Sequence, residues 1–255
     1  MTRIITVISG KGGVGKTTAV TNLGAALVKK GHNVIIIDAN VTTPNLSLHL
    51  GIPFYPRTLH DVLKNNVNPE DALYVHSSGL KILPASLSAD AIKEEIALEK
   101  LEKVLINLLG KADIIIVDAA AGLGREAKAA IDIADEILVV TNPELPAVTD
   151  SLKTIELSRH FGTKVFGVVV NRRKNEKYEL IDSDIEAMLN SPIVATIPED
   201  NNVPRSIAAK KPVVTFRPSS KASVEFKNLA ARLMGERISE TKAKGWFERL
   251  FFWLS

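Results

Sequence analysis

The chain has 255 residues, with 32 Lys plus Arg against 29 Asp plus Glu, and a formal charge of +3. That length suits one large α/β domain, and so mild a charge does not by itself imply nucleic-acid binding. With no cysteine, a disulfide framework, a thiolate nucleophile and a Cys-ligated iron–sulfur cluster are all excluded. The opening MTRIITVIS runs straight into an apolar strand without the architecture of a signal peptide. Apolar runs elsewhere fall short of the roughly 18 residues that span a bilayer, so a cytosolic location is expected.

Residues 4–8 form an apolar run that reads as a buried strand. The pattern breaks at Gly10 and resumes from Lys16 with helical spacing at Val20, Leu23 and Leu27. Between them, Gly10, Gly15, Lys16 and Thr17 fit G-x-x-x-x-G-K-[ST]. Glycines 10, 12, 13 and 15, with Val14 and Thr18 beside them, let successive N–H groups converge on an anion. The helix that follows aims its positive dipole end at the same spot. Lys16 adds a full charge for the outer phosphates, and Thr17 offers a hydroxyl to Mg²⁺. Phosphate binding within one subunit does not require the second lysine, Lys11.

The loop KGGVGKTT resembles the deviant P-loop of the MinD/ParA family of ATPases. In that family the extra lysine reaches across a nucleotide-sandwich dimer to the partner's phosphates. A solvated surface lysine fits a single subunit equally well. The resemblance implies ATP/ADP and Mg²⁺ as ligands, and it assigns Lys11, Lys16, Asp38, Asn40 and Asp118 to the catalytic machinery. Thr17, Asp38 and Asp118 are the metal candidates.

Further along, Gly31 stops the first helix and residues 33–38 (NVIIID) form a second buried strand. Apolar strands alternating with helices predict a mostly parallel sheet covered on both faces, an α/β P-loop NTPase fold. Ligands in such folds gather at the carboxyl ends of the strands, where Asp38 falls. Residues 38–50 occupy the family's first switch, which usually carries a second Asp where this chain has Asn40; Asn45 fits the pattern. An amide cannot accept a proton from an attacking water, so slow hydrolysis is expected. Asn40 as a plain turn residue is the competing reading.

Thr58 begins a short capped helix, and residues 80–84 a short strand. His49, His60 and His76 lack metal-ligand spacing and read as surface or packing histidines. Residues 97–109 carry helical spacing at Leu98, Leu101, Leu105 and Leu108. Residues 113–122 (DIIIVDAAAG) predict a central strand delivering Asp118 to its end, similar to the family's Walker B strand and second switch. A helix-capping Asp after a buried strand is the alternative. Residues 136–142 form another strand and 143–162 a helix, with Glu144 matching a family position near the dimer interface.

Residues 164–171 predict a strand ending in Asn171 and Arg172, where the resemblance puts an Asn on the adenine. Pro198, Glu199 and Asp200 match the family's last nucleotide loop. Residues 212–216 (PVVTF) suggest a short edge strand, and 219–235 a closing amphipathic helix. The expected organisation is an ATPase domain over 1–235, a charged linker over 236–244 and a C-terminal amphipathic helix over 245–255.

In that last segment Trp246, Phe247, Leu250, Phe251, Trp253 and Leu254 share one helical face. Ten helical residues reach about 15 Å, half a bilayer core, so the segment suits the interface and not a crossing. Packing onto its own domain or a neighbouring protein is the alternative. The expected partners are a second copy bridged by ATP, a lipid surface and a regulatory protein. Reversible peripheral attachment to the inner face of the cell membrane follows. The runner-up is a ParA-like DNA partition ATPase, using the basic cluster around Arg172, Arg173, Lys174 and Lys177; nucleic acid is otherwise not expected.

Overall fold

The computed structural model describes residues 2–52, 54–90 and 97–236. The predicted amphipathic helix and most of its linker lie outside these residues. Among them, strands β1 (Arg3–Ile8), β2 (Val34–Asp38), β3 (Tyr74–Val75), β4 (Lys81–Leu83), β5 (Ile114–Asp118), β6 (Glu136–Thr141), β7 (Lys164–Arg173) and β8 (Ile193–Pro198) form one sheet. Its order is β3-β4-β2-β5-β1-β6-β7-β8. All neighbours run parallel except the β3–β4 pair.

Both faces of this sheet are dry because successive side chains alternate across it and nearly all are apolar. Ile36, Ile116 and Leu138 point into one core, where they meet α1 (Lys16–Lys29). Ile35, Ile37, Ile115 and Val139 point into the other. There they meet α4 (Leu101–Leu108), α5 (Arg125–Asp132) and α6 (Leu145–His160). Each such isoleucine or leucine contributes roughly 1.5–3 kcal/mol through burial. The four leucines predicted to face the sheet, Leu98, Leu101, Leu105 and Leu108, are all buried. The Thr58 cap is also present: Asp61 accepts from the Thr58 N–H at 2.8 Å ahead of α3 (Leu59–Leu63).

One expected element is different. Residues 212–216 are not an edge strand; Val213–Phe216 forms a short helix, α9. Pro212 has no N–H to give a ladder, and its carbonyl instead accepts from both Thr215 and Phe216 at 2.9 Å. The Val214 N–H is spent on the Asn22 side chain of α1 at 3.1 Å, which draws Val213 and Val214 into the core. Short elements that sequence patterning did not mark are β3, α2 (Leu46–Leu50), α5, α7 (Asp182–Leu189) and α8 (Asn202–Ala208).

The closing helix α10 (Lys221–Leu233) starts at Ser220, whose hydroxyl oxygen accepts from the Ser223 N–H. It is tied down at its far end by Arg3. That guanidinium donates to the Leu233 carbonyl at 2.5 Å, pairs with Glu136 and lies 5.4 Å over the Phe166 ring. The last turn of α10 therefore sits at the edge of the sheet where β1 and β6 begin. Among the described residues no helix is long and apolar enough to cross a membrane.

Candidate functional site

The finishing ends of β1, β2 and β5 meet at one place. The register sets Asp38 beside Asp118, and Val7 beside Asp118 on the other side. The glycine-rich loop rises from β1 and returns into α1 directly over these acids.

Its path depends on two absent side chains. A Cβ on Gly10 would lie 2.2 Å from the Asp150 carbonyl carbon of α6, so the loop packs against helix backbone. Gly15 precedes α1 with a φ of 93°, and a Cβ there would lie 2.2 Å from the Asn171 amide nitrogen. That same nitrogen donates to the Val14 carbonyl at 2.7 Å, joining the loop to the end of β7. Val14 itself is buried.

Beneath the loop the Lys16 ammonium pairs with Asp118, and their side chains are only 8% and 1% exposed. Asp38 is wholly buried, accepting the N–H groups of Asn40 and Leu46, each at 3.3 Å. Burial pushes its pKa well above the ordinary carboxylate range. The neighbouring Asp118 adds to that push, while Lys16 and the two N–H groups oppose it. Two acids and one ammonium thus share one buried site.

The first-switch segment forms the facing wall. Asn40 donates its amide to the Thr43 carbonyl at 2.6 Å and accepts from the Thr43 hydroxyl at 3.0 Å and N–H at 3.3 Å. Both ends of the amide are therefore engaged in closing the turn. Thr42 is latched from α5, where the Glu126 carboxylate accepts its N–H at 3.1 Å and also its hydroxyl.

Between the walls lies a cleft of about 300 Å³. Gly12, Gly13, Gly15, Lys16, Thr17 and Thr18 line one side, and Asn40, Thr43, Asn45 and His49 the other. Arg172, at a φ of 58°, joins the lining too. A larger hollow of about 460 Å³ beside Phe54 and Ser86 has no charged residue in its wall among the described residues, and one of about 400 Å³ beside Glu102 and Lys128 is charged but lies away from the glycine loop and the strand-end acids.

Other predicted residues sit around this centre. Lys11 reaches Glu144 of its own chain at 3.7 Å, with both side chains substantially exposed. Pro198 ends β8, and the Glu199 N–H donates to the Arg173 carbonyl at 2.9 Å. Asp200 accepts from the N–H of Asn202 at 2.8 Å and of Ala222 at 3.2 Å. Burial pushes its pKa up, but these hydrogen bonds outweigh it and hold the group below the usual range. Its carboxylate thus ties α8 to α10. The basic cluster is thinner than its sequence, because Arg173 is turned inward onto Glu179 and Asp182.

His49, read from sequence as a surface or packing histidine, is half-buried in the cleft wall. It lines the cleft because α2 begins immediately after Asn45, which puts positions 45 and 49 on one helical face.

A strand, glycine nest and helix under a buried lysine, with acids at adjacent strand ends of a parallel sheet, define a P-loop nucleotide-binding α/β protein. The profile of the CobQ/CobB/MinD/ParA nucleotide binding domain matches residues 5–213, and the chain belongs to that family. It is 39% identical over 233 residues to an uncharacterized ATP-binding protein of Methanocaldococcus jannaschii, covering 91% of this chain and 88% of the relative. It is 38% identical over 248 residues to the septum site-determining protein MinD of Thermotoga maritima, covering 93% and 90%. The fold superposes with a TM-score of 0.87 on the septum site-determining protein MinD of Pyrococcus horikoshii complexed with Mg-ADP. That pair is 35% identical, covering 91% of this chain and 96% of the other.

Proposed function

We propose that this chain is a MinD-type ATPase that binds Mg-ATP, pairs with a second copy across the nucleotide, attaches reversibly to a membrane surface and serves spatial positioning such as division-site placement. The buried Lys16–Asp118 pair beneath the glycine nest carries the nucleotide reading. An ammonium held there by one carboxylate is ready to exchange it for phosphate oxygens, which releases Asp118 toward a metal. Thr17, Asp38 and Asp118 offer oxygen donors only, the set that suits Mg²⁺. Mg²⁺ held there would neutralise phosphate charge. Residues Gly10 to Thr18 hold the phosphates through main-chain N–H groups. Asn171, Arg172 and the 198–200 loop are assigned to the base. Lys11 is assigned to the partner's phosphates, a move that breaks its contact with Glu144.

The membrane assignment belongs to residues 245–255 and their aromatic stripe, linked by 236–244 to an ATPase domain over 1–235. A segment so short binds lipid weakly alone, and pairing two copies strengthens it through effective concentration. A regulatory protein that stimulates turnover belongs to the same reading. Light scattering with ADP and with ATP, on full-length and 245–255-deleted protein, tests it. ATP is expected to double the mass of both forms, and only the full-length protein should sediment with anionic vesicles. Retention of the monomer mass in ATP would sink the pairing.

An amide at position 40, where the family usually carries a carboxylate, favours a second reading, an ATP-gated membrane scaffold that turns over slowly, although its bonds to Thr43 equally suit a plain turn residue. Asn40→Asp supplies a carboxylate but gives up the bond donated to Thr43, so it restores a proton acceptor at some cost to the turn. Single-turnover hydrolysis by Asn40→Asp is expected to be about 10-fold faster or more than by the parent. Equal rates would dismiss the impairment.

A further inference from the structure

His49 is half-buried and lines the cleft together with Lys16, Thr17, Thr43 and Asn45. Among the described residues neither of its ring nitrogens has a hydrogen-bond partner, whereas the buried His60 and His76 each engage Nδ1, His60 accepting from the Ser86 N–H and His76 pairing with the Ser78 hydroxyl. Its ring nitrogens are open to the cleft, so they are free to exchange water for a ligand atom arriving there without giving up any contact inside the protein.

We infer that His49 is a phosphate contact of this cleft, donating a ring N–H to a phosphate oxygen of the bound nucleotide. Position supports phosphate over base. The charges that act on the ring are those of Asp118 and Lys16, which mark the phosphate end. Burial lowers its pKa, with Asp118 raising it and Lys16 lowering it further. A neutral imidazole still carries one N–H, so the contact needs no added proton. His49 also lies one helical turn beyond Asn45 on a helix whose first N–H, that of Leu46, binds Asp38. Through it a phosphate contact gains a mechanical connection to Asp38.

This inference rests on the nucleotide reading of the cleft. The test is calorimetric titration of the full chain with Mg-ADP and with inorganic tripolyphosphate, for the parent, His49→Leu and His49→Gln, with melting of the nucleotide-free proteins alongside. His49→Leu is expected to weaken both ligands about 5- to 10-fold, and His49→Gln, which keeps an N–H donor, to stay within about 2-fold of the parent. In the unsubstituted protein, tripolyphosphate should shift the His49 ring resonances, an observation independent of any variant's folding. Equal affinities for parent and His49→Leu would overturn the contact, and equal losses in Leu and Gln variants would reduce it to packing. A loss for ADP with none for tripolyphosphate would overturn the assignment to phosphate. Absence of heat from the parent with either ligand would bring down the nucleotide reading itself, and His49 with it.

Discussion

The two walls of the cleft are held by different physics. The glycine loop takes its shape from the core: Gly10 lies against the backbone of α6, Val14 is buried, and Asn171 closes on the loop from β7. The facing turn, residues 40–45, takes its shape from side-chain hydrogen bonds, several of them on exposed residues such as Thr42, Thr43 and Asn45. Such bonds contribute about 0.5–1.5 kcal/mol each, whereas moving the loop means repacking a close-packed interior. One wall is therefore moulded by packing, and the other is held largely by side-chain hydrogen bonds above the buried Val41.

The sharpest way to break this contrast is to remove the cation at its base. Lys16→Ala strands two acids in a buried site and is expected to destabilise the nucleotide-free protein by about 3–5 kcal/mol at neutral pH, as measured by urea unfolding. Since Asp38 is already held above its ordinary pKa, much of that loss should return on acidification. Next in size is Gly10→Ala, whose methyl meets the Asp150 carbonyl. A cost at the upper end of about 1–3 kcal/mol is expected, with weaker nucleotide binding as the loop is pushed off α6.

Asp38→Asn works in the opposite direction. A carboxyl with a raised folded pKa binds its proton more tightly folded than unfolded, so stability falls as pH climbs from the ordinary Asp range through the folded value. The Asn variant should melt higher than the parent at neutral pH, and the gain should vanish toward about pH 4. A gain independent of pH would show that the carboxylate is not the source. Thr42→Val is the smallest expected effect. Loss of the Glu126 latch should change global stability by no more than about 0.5 kcal/mol while raising hydrogen exchange in residues 40–45. A cost matching that of Gly10→Ala would erase the distinction between the two walls.

Much of the centre was legible beforehand. A loop whose chemistry is local, from Gly10 to Thr18, announces itself in consecutive residues, and apolar strands announce that Asp38 and Asp118 come last in theirs. What escaped is what depends on distance or brevity. The Lys16–Asp118 pair joins residues 102 positions apart. His49 entered the cleft through a five-residue helix too short to show periodicity. PVVTF carries strand propensity, yet a proline carbonyl and the Asn22 side chain took up its hydrogen bonds locally. Glu126 belongs to an exposed helix turn, and nothing in its neighbours marks Thr42 as its target.

The Arg3 clasp on Leu233 gives the molecule two poles. Nucleotide chemistry occupies the edge where strands finish, whereas the last described turn of α10 is anchored at the edge where they begin, a strand length or roughly 20 Å away. A stiff parallel sheet lies between and offers little by way of a lever. Asp38 and Asp118 thus stand as far from the anchored end of α10 as the length of the strands allows.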